Sequence, residues 1–303
     1  MYAPKGVYVA MITPFEQGNR IAEKTIREMV EFFIERGVDG IFPVSNVGEF
    51  VQLSEDQKRL FVDIVLDQAK GRVRVTPGIS ATAPWQSIEF GKYCQSAGAD
   101  GVVLSAPYYY KYPQEIVCSS CAEVAKSLDI PVVLYNIPLF ANEISLESLK
   151  KLMEIDNIVA IKESSGSIPN LIDIINLANN IRPDFNVLVG WEELFLSTLV
   201  LGGKGCMVAS GGILPELMVA IYKSFLAGEI DRAARYQSMV ARVTEQMKKI
   251  FFPYGYKLGM EARGFDMGPF CIDVPDDYRE EIMIQKETIK NAINDVLNSM
   301  DAI

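Results

Sequence analysis

The sequence predicts an α/β fold, a TIM (β/α)8 barrel followed by a C-terminal helical extension, and three observations predict it. Short β-rich runs alternate with longer amphipathic stretches eight times over. One junction recurs, as Gly37-Val-Asp-Gly-Ile41, Gly98-Ala-Asp-Gly-Val102 and Gly202-Gly-Lys-Gly-Cys206, each with a glycine closing a helix and a tight turn feeding the next strand. The first strand runs into Thr13-Pro-Phe-Glu16, not into the glycine-rich turn with which a doubly wound sheet binds a dinucleotide.

Strands are expected at residues 7–13, 40–44, 73–79, 101–106, 132–137, 158–163, 187–190 and 205–209. Helical patterns lie between them at residues 23–36, 55–69, 85–97, 114–128, 146–155, 168–180, 192–201 and 215–226. Ser54-Glu-Asp-Gln57 has capping-box spacing at the start of the second helix, and Pro215 suits the first turn of the eighth. Eight such units in about 225 residues close a barrel. Residues 228–251, rich in Ala, Met and Arg at helical spacing, and a last helix near residues 276–300 follow it. The expected organisation is a catalytic barrel over residues 1–227 and a helical extension, residues 228–303, packed on it.

Composition excludes whole classes of function. The net charge of −10 argues against nucleic acid or an acidic membrane surface as partner, since both require a positive field. With no histidine, a Ser-His-Asp triad, a Cys-His dyad and a His-based zinc site are impossible, so catalysis must use Lys, Tyr, Ser, Thr or carboxylates. No cofactor or metal is expected. The five cysteines are scattered, and Cys118-Ser-Ser-Cys121 falls mid-helix, where thiols behave as small hydrophobes. Nothing at Met1-Tyr-Ala-Pro-Lys5 reads as a signal peptide and no run approaches membrane-spanning length, so a cytoplasmic protein is expected.

Two runs carry a functional group where packing would call for an apolar one. Lys162 lies in Ile158-Val-Ala-Ile-Lys-Glu-Ser164, and Tyr135 in Val132-Val-Leu-Tyr-Asn-Ile-Pro138. Burial disfavours a lysine's charged form and yields the neutral amine that a Schiff-base nucleophile needs. Strand alternation places Ala160, Lys162 and Ser164 on one face and Val159, Ile161 and Glu163 on the other. The apolar face suits packing under helices, which turns Lys162 into the barrel beside Tyr135. A TIM barrel builds its site at the C-terminal strand ends, where Asn46, Tyr108, Tyr109, Tyr135, Lys162, Ser164, Glu192, Glu193 and Ser210 all fall.

These segments resemble, along nearly the whole chain, the dihydrodipicolinate synthase/N-acetylneuraminate lyase family of class I aldolases. The matching stretches are Ala10-Met-Ile-Thr-Pro-Phe15, Gly48-Glu49 with Leu53-Ser54, Pro107-Tyr-Tyr109, Tyr135-Asn-Ile-Pro138 and Ile161-Lys-Glu-Ser-Ser-Gly166. The resemblance implies that Lys162 condenses with the C2 ketone of pyruvate or another 2-keto acid and that Tyr135 shuttles a proton to and from the substrate hydroxyl. It also implies that Tyr109 reaches across a tight dimer interface into the neighbouring site, in a homotetramer built as a dimer of dimers.

Three departures bear on substrate. Ser45-Asn-Val-Gly-Glu49 stands where the family has two hydroxyl residues before Gly-Glu. Asn46 offers its amide and Val47 its backbone N–H to a substrate carboxylate, but neither passes a proton as a hydroxyl does; either water or Ser45 substitutes, or the chemistry departs from the family norm. Phe140 occupies the position of the arginine with which dihydrodipicolinate synthases grip aspartate semialdehyde. Val189-Gly-Trp-Glu-Glu193 resembles the stretch whose carboxylates hold sugar hydroxyls in N-acetylneuraminate lyases, so Gly190, Glu192 and Glu193, with Ser164 and Ser210, are expected to line the substrate pocket. The expectation is a Schiff-base lyase that cleaves a 2-keto-3-deoxy sugar acid to pyruvate and an aldehyde. Its alternatives are a dehydratase or hydratase-aldolase, 4-hydroxy-tetrahydrodipicolinate synthase, and a non-catalytic sugar-acid-binding protein.

Overall fold

The computed structural model describes residues 2–300. Eight strands form one parallel sheet: β1 (Gly6–Ala10), β2 (Gly40–Phe42), β3 (Arg74–Val75), β4 (Val102–Ser105), β5 (Val132–Asn136), β6 (Ile158–Glu163), β7 (Asn186–Val189) and β8 (Gly205–Val208). Their spatial order is β3-β2-β1-β8-β7-β6-β5-β4. The two ends of that order meet: Gly78 bridges Val103 in parallel, Ile79 N–H donates to the Val103 carbonyl at 2.9 Å, and Val103 N–H donates to Pro77 at 2.8 Å. The sheet is thus a closed TIM barrel.

The helices outside it are α1 (Glu23–Glu35), α2 (Glu55–Ala69), α3 (Pro84–Ser96), α4 (Gln114–Lys126), α5 (Leu146–Leu152), α6 (Ile168–Ile181), α7 (Phe195–Val200), α8 (Ser210–Ile213) and α9 (Pro215–Leu226). The Ser54 capping box is present in full, with the Ser54 hydroxyl accepting from Gln57 N–H while the Gln57 side chain accepts from Ser54 N–H. The recurring junction does its expected work, with Gly37, Gly98 and Gly202 all at positive φ. Its aspartates do more: Asp39 accepts from Val7 N–H at 2.8 Å and Asp100 from Val75 N–H at 2.9 Å, tying each turn to the strand next to it.

Most strands are shorter than expected because their C-terminal ends leave the sheet to form the mouth. The third keeps only Arg74–Val75 in regular pairing, since Pro77 has no N–H to give and the backbone continues as a single bridge. The seventh helical pattern splits into a 3₁₀ turn at Glu192–Leu194 and α7. A small hairpin, Phe15–Glu16 with Arg20–Ile21, follows β1 and is absent from the expected list.

After the barrel come α10 (Ile230–Met247), α11 (Tyr254–Ala262) and α12 (Asp276–Met300). α10 packs against α9, and α12 packs against α10 and α11. Side chains of this extension reach the rim of the barrel on two sides. Gln237 donates to the Glu192 carbonyl at 3.0 Å and accepts from Leu196 N–H at 3.0 Å. Lys257, fully buried, lies 3.6 Å from the equally buried Glu49 in the loop after β2, and its ammonium also donates to the Pro269 carbonyl at 2.9 Å. Burial pushes Glu49 up and Lys257 down, each opposed by the other's charge. No described helix is long and apolar enough to cross a membrane.

Candidate active site

Lys162 and Tyr135 are register partners on the adjacent strands β6 and β5, so both side chains leave the sheet at one height and on one face. The Lys162 ammonium nitrogen lies 4.0 Å from the centre of the Tyr135 ring and 5.1 Å from that of Phe42. Burial lowers the Lys162 pKa to about 7, with the Glu192 charge acting in the opposite sense. Near neutrality a large fraction of this amine is therefore unprotonated and nucleophilic. Burial raises the Tyr135 hydroxyl well above its ordinary range; the neighbouring Ser164 hydroxyl works against that, and the Glu192 and Glu163 charges add to it.

The outward-facing neighbour of Lys162 is fixed independently. Glu163 accepts from the Asn136 amide at 2.7 Å and from Ser165 N–H at 2.6 Å, and Asn136 in turn accepts from Ile144 N–H at 3.0 Å. This buried network pins β5 to β6 directly beneath the two reactive side chains.

Gly190 explains how Lys162 and Ser164 share so little room. A Cβ there would stand 1.9 Å from Ser164 Oγ and 2.5 Å from Lys162 Cε, so only glycine lets both point inward. The Ser164 hydroxyl is buried and makes no ordinary hydrogen bond among the described residues.

Two chambers open from this centre. One of about 300 Å³ is lined by Lys162, Tyr135, Ser164, Gly190, Glu192, Asn46 and Val47, with an outer wall of Trp191, Phe140, Ile250, Phe251, Phe252 and Tyr256. The other, of about 270 Å³, extends past Phe50, Ser80, Ser105 and Tyr108. Asn46, Tyr135, Ile137, Phe140 and Phe252 belong to both and form the partition, Phe140 and Phe252 stacking at 5.5 Å. No arginine lines either chamber; the cations are Lys162 and, at the outer end, Lys248.

The loop after β2 is stitched to β1 and its neighbourhood. Ser45 Oγ donates to the Met11 carbonyl at 2.9 Å and accepts from Gly48 N–H at 3.1 Å, and Thr13 donates to the Gly48 carbonyl at 2.6 Å. Val44 sits at φ 55°, a costly conformation for a β-branched residue, and turns the following residues into the cavity. Asn46 and Val47 line it with backbone N–H groups that no described carbonyl takes, a ready cradle for a carboxylate.

The remaining expected site residues take different places in this geometry. Ser45 is spent on backbone groups and lines neither chamber, so it is not available to carry a proton. Ser210 is buried with its hydroxyl against Met218 Sδ at 3.7 Å and lines neither chamber. Of the acidic pair only Glu192 lines the chamber. Glu193 is drawn to α10, accepting from Thr244 at 2.7 Å and from Lys248 at 2.5 Å; burial would raise its carboxyl, but these partners hold it below the ordinary range. Burial pushes the Glu192 carboxyl up. Tyr109 lies outside both chambers, 85% exposed and edge-on to Tyr110 at 5.0 Å. Cys118 and Cys121 lie in α4 as expected, both pushed up by burial.

Sequence reading missed Trp191 and the whole outer wall contributed by Lys248, Ile250, Phe251, Phe252 and Tyr256. Tyr256 is buried near Glu192, and burial followed by the Glu192 charge pushes its hydroxyl well up. The signal that could have found this stretch is the one that flagged Lys162, a lysine among apolar residues: Lys257 follows Phe251-Phe-Pro-Tyr-Gly-Tyr256. Among the described residues no acidic or cysteine cluster is built to hold a metal ion.

The sequence matches the Dihydrodipicolinate synthetase family over residues 3–290. An uncharacterized DapA-like lyase of Pyrococcus horikoshii is 32% identical over 305 residues, 97% of this chain and 100% of that protein. The probable 2-dehydro-3-deoxy-D-pentonate aldolase YjhH of Escherichia coli K12 is 32% identical over 274 residues, 88% of this chain and 90% of its own. Among solved structures, YagE, a prophage protein of the dihydrodipicolinic acid synthase family from E. coli K12 in complex with pyruvate, has a TM-score of 0.89 at 26% identity and covers 96% of this chain and 98% of its own.

Proposed function

This chain belongs to the dihydrodipicolinate synthetase family, and from that premise we propose that it is a class I lyase that cleaves a 2-keto-3-deoxy sugar acid through an imine on Lys162. The observation that carries the reading is the Lys162 amine, whose pKa burial lowers to about 7, standing 4.0 Å from the ring of a register-paired tyrosine in an enclosed chamber.

The chemistry follows from those two groups. The neutral amine adds to the C2 ketone to give a carbinolamine. Tyr135 passes its proton to the C2 hydroxyl, which leaves as water. An iminium cation and a phenolate remain side by side, a neutral pair that a buried site tolerates far better than either charge alone. The phenolate then takes the proton of the C4 hydroxyl, the C3–C4 bond breaks, and its electrons pass through C3 to the iminium nitrogen, releasing an aldehyde and leaving an enamine. Protonation of C3 by Tyr135 and hydrolysis return pyruvate and the free lysine. The substrate carboxylate is held by the free N–H groups of Asn46 and Val47.

Substrate choice rests on three features. Phe140 offers no fork for a second carboxylate, and no arginine lines either chamber, which disfavours aspartate semialdehyde. Glu192 sets a buried carboxylate beside the reacting centre, suited to accepting from hydroxyls. YjhH, a relative by sequence, is by name a probable pentonate aldolase. A hydratase-aldolase is the second reading, favoured by the lack of a hydroxyl at Asn46-Val47; it starts from the same imine. Tyr109 and Tyr110, with Val51 and Leu139, are exposed apolar residues, 85%, 64%, 60% and 72% respectively, and suit burial against a second copy of the chain. We assign Tyr109 to the neighbouring site of such a dimer, two of which pair as a homotetramer.

Borohydride in the presence of pyruvate tests the core of this reading. It should fix one reduced pyruvate on the peptide containing Lys162 and abolish activity. Labelling elsewhere, or none, would sink it. Pyruvate release across gluconic, galactonic, arabinonic and sialic keto acids then fixes the substrate, with the rate on aspartate semialdehyde expected to be far lower.

A further inference from the structure

We propose that the Ser164 hydroxyl stabilises the Tyr135 phenolate, taking over at this site the work of a hydroxyl that the loop after β2 does not supply. The proposal rests on the imine chemistry above and adds to it the donor that keeps Tyr135 in play.

The loop after β2 offers no free hydroxyl. Asn46 and Val47 carry no hydroxyl, and Ser45 has both hydrogen-bonding capacities engaged, donating to Met11 and accepting from Gly48. Thr13 is committed to the Gly48 carbonyl, and Ser210 faces a methionine sulfur. Ser164 is the one aliphatic hydroxyl among the residues lining the Lys162 chamber. It is 5% exposed, and its oxygen has no hydrogen-bond partner of ordinary length among the described residues. A buried hydroxyl left without a partner is costly, so one that persists in the reaction centre calls for a use in the working state.

Placement supplies the use. Ser164 stands two residues beyond Lys162 on the same strand face, and the bare backbone of Gly190 lets the two side chains crowd one point, 1.9 Å and 2.5 Å from where a Cβ would be. Tyr135 is the register partner of Lys162. Ser164 is also the neighbour that favours ionisation of Tyr135 against its burial. When Tyr135 has given its proton to the departing water, the Ser164 O–H donates to the phenolate oxygen. No bond to Ser164 forms or breaks. When the phenolate recovers a proton from substrate, the serine is released. Ser164 acts through Tyr135 and is a positioning residue.

The test needs only pyruvate, so it does not depend on knowing the sugar acid. In heavy water the enzyme should exchange the C3 hydrogens of pyruvate, by Tyr135 removing and returning them from the Lys162 imine. Ser164→Ala should slow this exchange about ten- to hundredfold, the worth of one hydrogen bond to a charged group, while borohydride still traps pyruvate on Lys162. Ser164→Thr, which keeps the hydroxyl, should restore exchange. Unchanged exchange in Ser164→Ala, or a loss that Ser164→Thr does not restore, overturns the proposal. Failure of the unmodified protein to trap pyruvate at all overturns the imine reading instead, so the two failures are distinct.

Discussion

Glu192 and Glu193 are neighbours in one 3₁₀ turn, yet they serve opposite sides of it: Glu192 lines the chamber beside Lys162, while Glu193 is bound to Thr244 of α10 and to Lys248 just after it. Their separation fixes the charge seen by the reactive amine, since the Glu192 charge raises the Lys162 pKa that burial lowers.

The pH dependence of kcat/KM should show an acid limb near 7. Only the neutral amine attacks, so the rate rises as pH climbs through the lowered pKa of about 7 and then levels. A limb near the ordinary lysine value would show that the amine is not held in this environment. A steady-state pH series with any turned-over keto acid measures it.

Glu192→Gln should have two effects at once. Removing the negative charge lowers the Lys162 pKa further, so the acid limb moves to lower pH. Replacing a charged acceptor by a neutral amide weakens hydroxyl recognition, so KM for the sugar acid should rise about tenfold. Pyruvate trapping should persist. An unmoved limb would contradict the coupling, and an unmoved KM the hydroxyl contact.

Gly190→Ala should cut kcat about a hundredfold or more, because the new methyl meets Ser164 Oγ and Lys162 Cε and displaces both from the substrate. Circular dichroism should still report a folded barrel. Full activity in this variant would mean that the two side chains work from other positions.

Tyr109→Phe should lower kcat and leave the oligomer intact by analytical ultracentrifugation, as loss of one hydroxyl at a neighbouring site would. A fully active monomer would rule out the cross-subunit role.

Lys257→Met should destabilise the fold by about 3–5 kcal/mol in urea melts, because it strands the Glu49 carboxylate in the interior. Glu49→Gln combined with Lys257→Met should recover part of that loss. If the single change costs nothing, the buried pair contributes nothing to holding the extension down.

The barrel was legible because its strands are short apolar runs punctuated by the repeated glycine turn, and a lysine inside such a run is conspicuous. Lys162, Tyr135, Asn46, Val47, Ser164, Gly190 and Glu192 line one chamber. What could not be read depends on partners far along the chain. Whether Glu192 or Glu193 faces substrate is decided by Thr244 and Lys248, and whether Ser45 is free is decided by Met11. Helix α11 was hidden because Pro253, Gly255 and Gly259 break the helical pattern; yet its glycines let it press against Met247 and Ile213.

The outer wall of the Lys162 chamber comes from the tail of the chain: Lys248, Ile250, Phe251, Phe252 and Tyr256. The strands therefore place the nucleophile, while a short stretch after α10 joins Phe140, Trp191 and Glu192 in shaping the room for the rest of the substrate. Drift confined to residues 248–256 would reshape one side of the aldehyde's room without touching the nucleophile. Diversifying those few positions is the shortest route from this scaffold to a new carbon–carbon bond.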